Sequence, residues 1–596
     1  MNFFLLLLAV EALASHDACK AVPGSTSWPR HSAWQALNRT LSGRLLAPSP
    51  PAAVCHPDQP TFNQSSCAYV TSAWQNSTFH ADNPISVEFE NWNNDSCIPD
   101  PSAPCSGEGY PVYVVNATTA EDVRAGIKFA GENNVRLIVK GSGHDYLGRY
   151  NILIVFFLLV TKVSRSSAPN SLSIWTRYIR GLDFHDCFNP SGCNLNINEP
   201  AVTISAGVLS GDVYKAAALR NRTIVSGMSP DISIGGYLTG GGHSPLSATY
   251  GLAADQVLEM QVVTAEGEIL IANECQNPDL FWALRGGGGS TYAVISSATV
   301  RTFPTPAIGS YLVAVNFTGP TTDTFWETSA YFHQQISRLV NKGVSGYYFQ
   351  NPPILSSEPN GTSPGSFIGL FLVVNQSSQA AEGYFEPIIE HINRTFTNEV
   401  SIATYGQDYE AFYDWWLVDS DVAAVGYDSV MGSRLLNADV LSAPSSSLID
   451  AINGGTPIVY DPLGGFGGNI VSGPGVWHAK PRGGGNSVNP AWRNGTVDHV
   501  TITVTFPPLN ATARDDQHRL LTTRYVEAWR KFAPHSGAYI NEADPKEPKY
   551  QHAFWGENYP RLLSIKRKID PHDVFWCQPC VGNERWHEVG NRLCRT

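Results

Sequence analysis

Three short stretches hold residues able to do chemistry: Lys140-Gly-Ser-Gly-His-Asp-Tyr-Leu-Gly148, the glycine-dense run Ser233 to Ser247 (SIGGYLTGGGHSPLS), and Gly286-Gly-Gly-Gly289. Glycine lets a backbone approach a ligand closely and aim several N–H groups at one anion, so a strand running into such a loop suits a phosphate or pyrophosphate. Tight turns between strands also use glycine. Four in succession, however, cost backbone entropy that only a close approach to something else would offset. No GxxxxGK[ST] is present, which argues against a P-loop. No GxGxxG opens a helix with an acidic partner downstream, which argues against a Rossmann site.

The elements that must position these loops are legible around them. Pro111 to Val115 is strand-like, and Thr118 to Asp122 offers helix-start chemistry. Val123, Ile127 and Ala130 then share one helical face, and Arg136 to Val139 reads as a strand feeding directly into Gly141. The pattern recurs with a strand at Ala201 to Ser205, a helix from Gly211 to Leu219 and a strand at Thr223 to Val225 before the second glycine stretch. Val257 to Ala272 reads as a hairpin turning at Glu266-Gly267, and Asp279 to Arg285 is amphipathic ahead of the third glycine cluster. The glycine loops stop near Phe303-Pro304-Thr-Pro306, which marks a boundary. Within the following segment Phe412-Tyr-Asp-Trp-Trp416 suits a pocket wall, but core is the stronger reading.

At 596 residues the chain buries a large core and divides by size into two or three domains. Its net charge of −13 and lack of a Lys/Arg run argue against a nucleic-acid or anionic-membrane partner, leaving a small molecule as the default ligand. Met1 to Ala14 reads as a secretory signal, an apolar run ending in a small-x-small site. Twelve Asn-x-Ser/Thr sequons agree with a secretory route and predict a secreted glycoprotein. The eleven cysteines then read as disulfides with one thiol over, and Cys275, with no close neighbour in sequence, is the candidate for it. Cys577-Gln-Pro-Cys580 leaves a redox or zinc pair open as a minority reading.

These motifs in combination resemble a known family. The Lys140–Gly148 loop, Ser229 to Ser244, Tyr250 to Val257 and Asp279 to Gly289 look like the PCMH-type FAD domain of the vanillyl-alcohol-oxidase superfamily. Tyr539-Ile-Asn-Glu-Ala-Asp544, Phe554-Trp-Gly556, Asn558-Tyr559 and Asp570-Pro571 resemble the C-terminal signature of berberine-bridge enzymes. CAYVTSAWQ and FENWNNDSC near the N-terminus are similar to fungal secreted members of the isoamyl-alcohol-oxidase type. The resemblance implies an α+β fold: a disulfide-rich region at 15–106, an FAD domain at 107–305, a substrate domain with an antiparallel sheet at 306–530, and a segment at 531–596 returning to the flavin.

Carried over residue by residue, it implies that Gly141, Ser142, Gly143, Asp145 and Gly148 hold the FAD pyrophosphate, and that Ser229, Gly235, Gly236, Gly240, Gly241, Gly242 and Asn541 also meet the cofactor. His144 would bond to the flavin 8α-methyl. Some relatives add a second link through a cysteine where this chain has Ser229, so the expectation is FAD attached through His144 only. Tyr539 would act as catalytic base or orienter, because GGNIVSGP, where other members keep a glutamate, has no carboxylate. Asn541 and Glu542 would touch the cofactor or cap a turn. The implied reaction is oxidation of an alcohol by FAD, with oxygen as acceptor and hydrogen peroxide as product. A carbohydrate oxidase, an oxidative cyclase and an inactive flavin-binding protein are the rivals.

One stretch breaks the pattern. In the resembled family HDYLGR runs straight into SSAPNSLSIW, whereas here Tyr150 to Arg165 intervenes, with an apolar core at Ile152 to Val160 too short to span a bilayer. A buried strand or membrane-touching loop would account for it. The preferred reading is a translated intron, since Arg149 and Arg165 can both be AGG, and excision from the last base of Arg149 through the AG of Arg165 rejoins Gly-Arg-Ser-Ser.

Overall fold

The computed structural model describes residues 19–147, 149–150, 162–163, 165–194, 197–319, 321–353, 365–420, 424–457 and 464–596. The expected leader Met1 to Ala14, Gly148 and Ile152 to Val160 lie outside the described residues. Among those described, no helix is long and apolar enough to cross a membrane.

The first glycine loop hangs from a small sheet. β1 (Leu45–Leu46) pairs antiparallel with β2 (Tyr113–Asn116), α1 (Ala120–Glu132) follows, and β3 (Arg136–Lys140) and β4 (Ser171–Trp175) complete the order β1-β2-β4-β3, with β4 parallel to both neighbours. Thr119 starts α1 because its side chain accepts from the Asp122 N–H while Asp122 accepts from the Thr119 N–H. The predicted face, Val123, Ile127 and Ala130, is buried against Leu172 and Ile174 of β4.

The second sheet is antiparallel. It uses β5 (Leu182–Phe188), β6 (Glu199–Ser205), β7 (Val257–Thr264), β8 (Ile269–Asn273) and β9 (Ala293–Arg301) in the order β8-β7-β9-β6-β5, with α2 (Ser210–Ala218), α3 (Ile234–Gly240) and α4 (Pro278–Leu284) between its strands. The hairpin turns where expected, with Gly267 at φ +74°. Two expectations need correction. The strand placed at Thr223 to Val225 is only Arg222–Thr223, and it pairs with Phe303–Pro304 outside this sheet. The glycine-dense stretch is not all loop: Gly235, Gly236 and Gly240 lie in α3, because Ile234, Tyr237 and Leu238 give it a buried stripe at helical spacing. Gly241 and Gly242 end it at φ +116° and +71°.

A seven-stranded antiparallel sheet forms the larger part of the remainder. β10 (Ile308–Phe317), β11 (Val344–Asn351), β12 (Gly365–Val374), β13 (Val400–Tyr409), β14 (Ser429–Asn437), β15 (Gly465–Ile470) and β16 (Thr496–Thr505) run in the order β13-β10-β12-β11-β15-β16-β14. Helices Asp323–Asn341, Ser378–Thr395, Ser445–Gly455 and Val526–Phe532 cover one face. Strand periodicity then decides the rest: on β12 Phe367 and Phe371 enter the core under the helices, and Ile368 and Leu370 face the other way. Helix Phe412–Asp419 buries Phe412, Trp415 and Trp416 against the core around Tyr214 of α2, so that aromatic stretch is core.

The disulfides are Cys19–Cys594, Cys55–Cys67, Cys97–Cys105, Cys193–Cys275 and Cys577–Cys580. The last leaves Cys577 and Cys580 no thiolates to hold zinc in this state, which removes the zinc reading. Cys275 is therefore not the leftover thiol; exposed Cys187 on β5 is. Sequence neighbours mislead here because Asn273, the last residue of β8, and Gln276 just past it both donate to the Ser191 carbonyl and bring Cys275 to Cys193. We expect one thiol per native chain to react with Ellman's reagent. Cys187→Ser should abolish that signal and Cys275→Ser should not.

Candidate active site

Between the glycine loops and the open face of the large sheet lies a cavity of about 750 Å³. Gly141, Ser142, Gly143, His144, Asp145, Ser229, Gly235, Gly236, Tyr539 and Asn541 all line it. These residues span four hundred positions of sequence, and only the tertiary fold brings them together. Gly240, Gly241 and Gly242, expected to meet the cofactor, are not among the lining residues: a Cβ there would strike Asn541, Val488 and Tyr237, so their smallness serves packing behind the wall. Gly148 lies outside the described residues.

Lys140 fixes the first loop from behind. Its buried ammonium donates to the carbonyls of His80, Ala81 and Ser142 at 3.0–3.3 Å, and burial pushes it down to about 7. Gly143 at φ +91° passes so close to Ser86 and Val87 that a side chain would crowd them. Gly235 and Gly236, by contrast, have nothing within 4 Å of where a Cβ would stand, so they leave open a cradle on the cavity side. His144 holds its Nδ1 2.8 Å from Oε2 of fully buried Glu88, which fixes the ring's orientation at the cavity edge.

Asp145 is tied to Arg165. The Arg165 backbone N–H donates to Oδ2 at 2.9 Å, and its Nε and Nη2 donate to Oδ1 at 3.1 and 2.9 Å. Nη1 donates to Asn541 Oδ1 at 3.1 Å, while Asn541 Nδ2 donates to the Tyr539 hydroxyl at 2.8 Å and the Gly236 carbonyl at 3.3 Å. The chain Asp145–Arg165–Asn541–Tyr539 thus couples the first glycine loop, α3 and the C-terminal motif. Arg165 had been read as the end of an unwanted insertion; its buried, bonded side chain makes it part of the site. Burial, and then the charge of Glu542, hold the Tyr539 phenol well above its ordinary value, so it stays protonated.

Sequence reading missed Glu88, His243 and His499. Glu88 directly precedes FENWNNDSC and His243 closes the second glycine stretch, so both had a signal in adjacent motif residues. His499 had none, since it reaches the site only as the cross-strand partner of Asn469.

The opposite wall is the open sheet face. Leu312, Leu370 and Tyr347 form one cross-strand row, Ile368, Phe349, Gly467 and Thr501 the next, and Gly465, Thr503 and Met431 a third, with Asn351 also lining the cavity. Phe349 and Ile368 remain 58% and 47% exposed, an apolar surface left uncovered at the cavity.

The residues present fit a large dinucleotide: glycine loops that admit close approach, an open cradle at Gly235 and Gly236, and a nucleophilic imidazole at the edge. Comparison with known proteins agrees. Residues 538–582 match the family "Berberine and berberine like" and residues 186–273 match "FAD binding domain". An uncharacterized FAD-linked oxidoreductase of Arthroderma benhamiae is 33% identical over 98% of this chain and 97% of its own. The bifunctional decalin synthase calF of Penicillium decumbens is 32% identical over 100% of both. The crystal structure of the VAO-type flavoprotein MtVAO713 from Myceliophthora thermophila C1 superposes with a TM-score of 0.87 at 30% identity, covering 97% of this chain and 100% of that one.

Proposed function

This chain belongs to the berberine-bridge-like FAD-linked oxidases of the vanillyl-alcohol-oxidase superfamily, and we propose that it oxidises a bulky apolar alcohol to an aldehyde or ketone, with oxygen as acceptor. The carrying observation is that one cavity has the glycine loops and His144 on one side and, on the other, the open sheet face where Leu312, Phe349, Ile368, Leu370 and Met431 stand beside Asn351, Thr501 and Thr503. Leu312, Phe349, Ile368, Leu370 and Met431 offer a carbohydrate few hydrogen bonds, and an apolar ring system a large contact. The relative named a decalin synthase is a protein whose printed product is a fused hydrocarbon ring, which accords with such a wall.

FAD, when bound, supplies the acceptor for the hydride that leaves the carbinol carbon. The chain's own residues do the rest. Gly141, Ser142, Gly143, Gly235 and Gly236 admit the cofactor, and His144 attaches it. No cysteine is among the lining residues and Ser229 stands where a second link would form, which supports attachment through His144 alone. Tyr539, kept protonated and held by Asn541, orients the substrate oxygen with its hydroxyl. Passage through a secretory route, which the sequons suggest, accords with the five disulfides.

A panel of benzylic, terpenoid, aliphatic and sugar alcohols, scored by peroxide release, tests this reading. The apolar ring-bearing alcohols should give kcat/KM at least about tenfold above the sugars, the discrimination that one or two extra buried methylenes supply. Preference for oligosaccharides would overturn it.

A further inference from the structure

The reaction needs a group to take the hydroxyl proton, and β15 offers no carboxylate to this wall, only Asn469. Among the described residues three carboxylates line the cavity. Asp145 is neutralised by Arg165, and Asp419 ends a helix whose neighbouring Leu417 and Val418 are exposed at the rim. The third, Glu542, sits one residue past Asn541 in the turn closed by its own N–H donating to the Tyr539 carbonyl at 2.9 Å. Glu542 is thus fixed to the turn that touches the glycine loops.

Glu542 Oε1 lies 2.9 Å from His243 Nε2, and Oε2 lies 3.6 Å from His499 Nδ1. Each carboxylate oxygen meets a different imidazole. A ring nitrogen of each imidazole and a Glu542 oxygen lie within 4.8 Å of one another, so a metal ion is the rival occupant that the test below must exclude; a carboxylate bridging two imidazoles is equally the arrangement of a proton relay. We propose that Glu542 is the catalytic base that accepts the substrate's hydroxyl proton, with His243 as the positioning residue that fixes its carboxylate. The proposal rests on the alcohol-oxidation reading above. The O–H bond breaks and its proton goes to the Glu542 carboxylate. The C–H pair leaves as hydride to the flavin, and the carbonyl double bond forms. Oxygen then takes the two electrons and the hydrogen, and with the proton from Glu542 becomes hydrogen peroxide, which restores the carboxylate.

The titratable groups facing Glu542 are His243 and Tyr237 from α3 and its end, His499 from β16, His144 from the first glycine loop, and Tyr539 from its own turn. Burial raises its carboxyl, but His243, then His499 and His144, outweigh burial and hold it below its ordinary value. Burial pushes His499 down to about 3, leaving it neutral. Glu542 is therefore ionised at neutral pH, and the flavin reduction rate should fall only as pH drops through its depressed value.

The test is anaerobic stopped-flow bleaching of the flavin in the holoenzyme, using the best alcohol of the panel across pH 4 to 9. Glu542→Gln should keep its yellow colour, lose about 10²–10⁴ in reduction rate and lose the acid limb. Glu542→Asp should recover part of both. His243→Gln, which removes the largest force holding the carboxyl down, should lower the limiting rate and move the acid limb to higher pH, a shift that a purely structural histidine would not produce. Reduction of Glu542→Gln at the wild-type rate and pH profile would sink the base assignment while leaving alcohol oxidation intact. So would one equivalent of zinc or another transition metal in the purified holoenzyme that Glu542→Gln loses. A flavin that no alcohol bleaches in the wild type would overturn the alcohol reading and the base together.

Discussion

His144→Ala should leave no flavin on the acid-precipitated protein. His144 is the nucleophilic side chain at the cavity edge beside the first glycine loop, and no cysteine is among the lining residues. Acid-stable flavin should therefore fall from about one per chain to none, with any remaining colour released to the supernatant. The substitution has a second, separable cost. Glu88 is fully buried and its Oε2 meets His144 Nδ1 at 2.8 Å, so losing the imidazole strands a buried carboxylate. This should lower stability by about 1–3 kcal/mol. The double variant Glu88→Gln with His144→Ala should recover much of that loss without recovering the covalent flavin. Thermal melting beside the absorbance of the acid pellet reads both effects, and a yellow pellet from His144→Ala would place the bond on another residue.

Arg165→Ala should destabilise the protein by about 3–5 kcal/mol, because it removes the guanidinium that pairs with buried Asp145 and cuts the tie to Asn541. Deleting Tyr150 to Arg165 altogether should do far less harm. Arg149 pairs with Val163 and Tyr150 with Lys162 in a short antiparallel bridge, so the chain leaves and re-enters the fold at one place. The shortened chain would present Arg149 directly before Ser166, where Arg165 now stands, with an identical side chain for Asp145. The deletion variant should fold, bind FAD and melt within about 1 kcal/mol of the full chain, since excursions between closely spaced ends are tolerated. Failure of the shortened chain to fold would show that the apolar run belongs to the structure, and sequencing the transcript across Arg149 to Arg165 would show whether it is ever encoded.

Much of this site was legible because the elements around it are local. The capping box at Thr119 and Asp122, the stripe at Val123, Ile127 and Ala130, the strand into Gly141 and the hairpin at Gly267 all depend on residues within a few positions of one another. Where glycine carried the inference alone, it was less secure. Gly235 and Gly236 open a cradle, but Gly240 to Gly242 only let Asn541, Val488 and Tyr237 approach, and sequence does not separate the two uses. Cysteine spacing failed for the same reason, since Cys193 found Cys275 across a loop closed by side-chain hydrogen bonds rather than its neighbour Cys187.

By itself the sequence determined the cofactor class and picked out the glycine loops and the histidine that line the cavity, because each is a short motif whose chemistry lies in adjacent residues. The tertiary structure alone decided what surrounds them. Strand register put His499 and Asn469 side by side and turned Leu312, Leu370, Ile368 and Phe349 to the cavity. The returning C-terminal turn set Glu542 between two imidazoles, and burial turned Arg165 from the end of a stray insertion into the tie between Asp145 and Asn541. Charge and register act across space, so residues hundreds of positions apart acquire their roles only when the chain has folded.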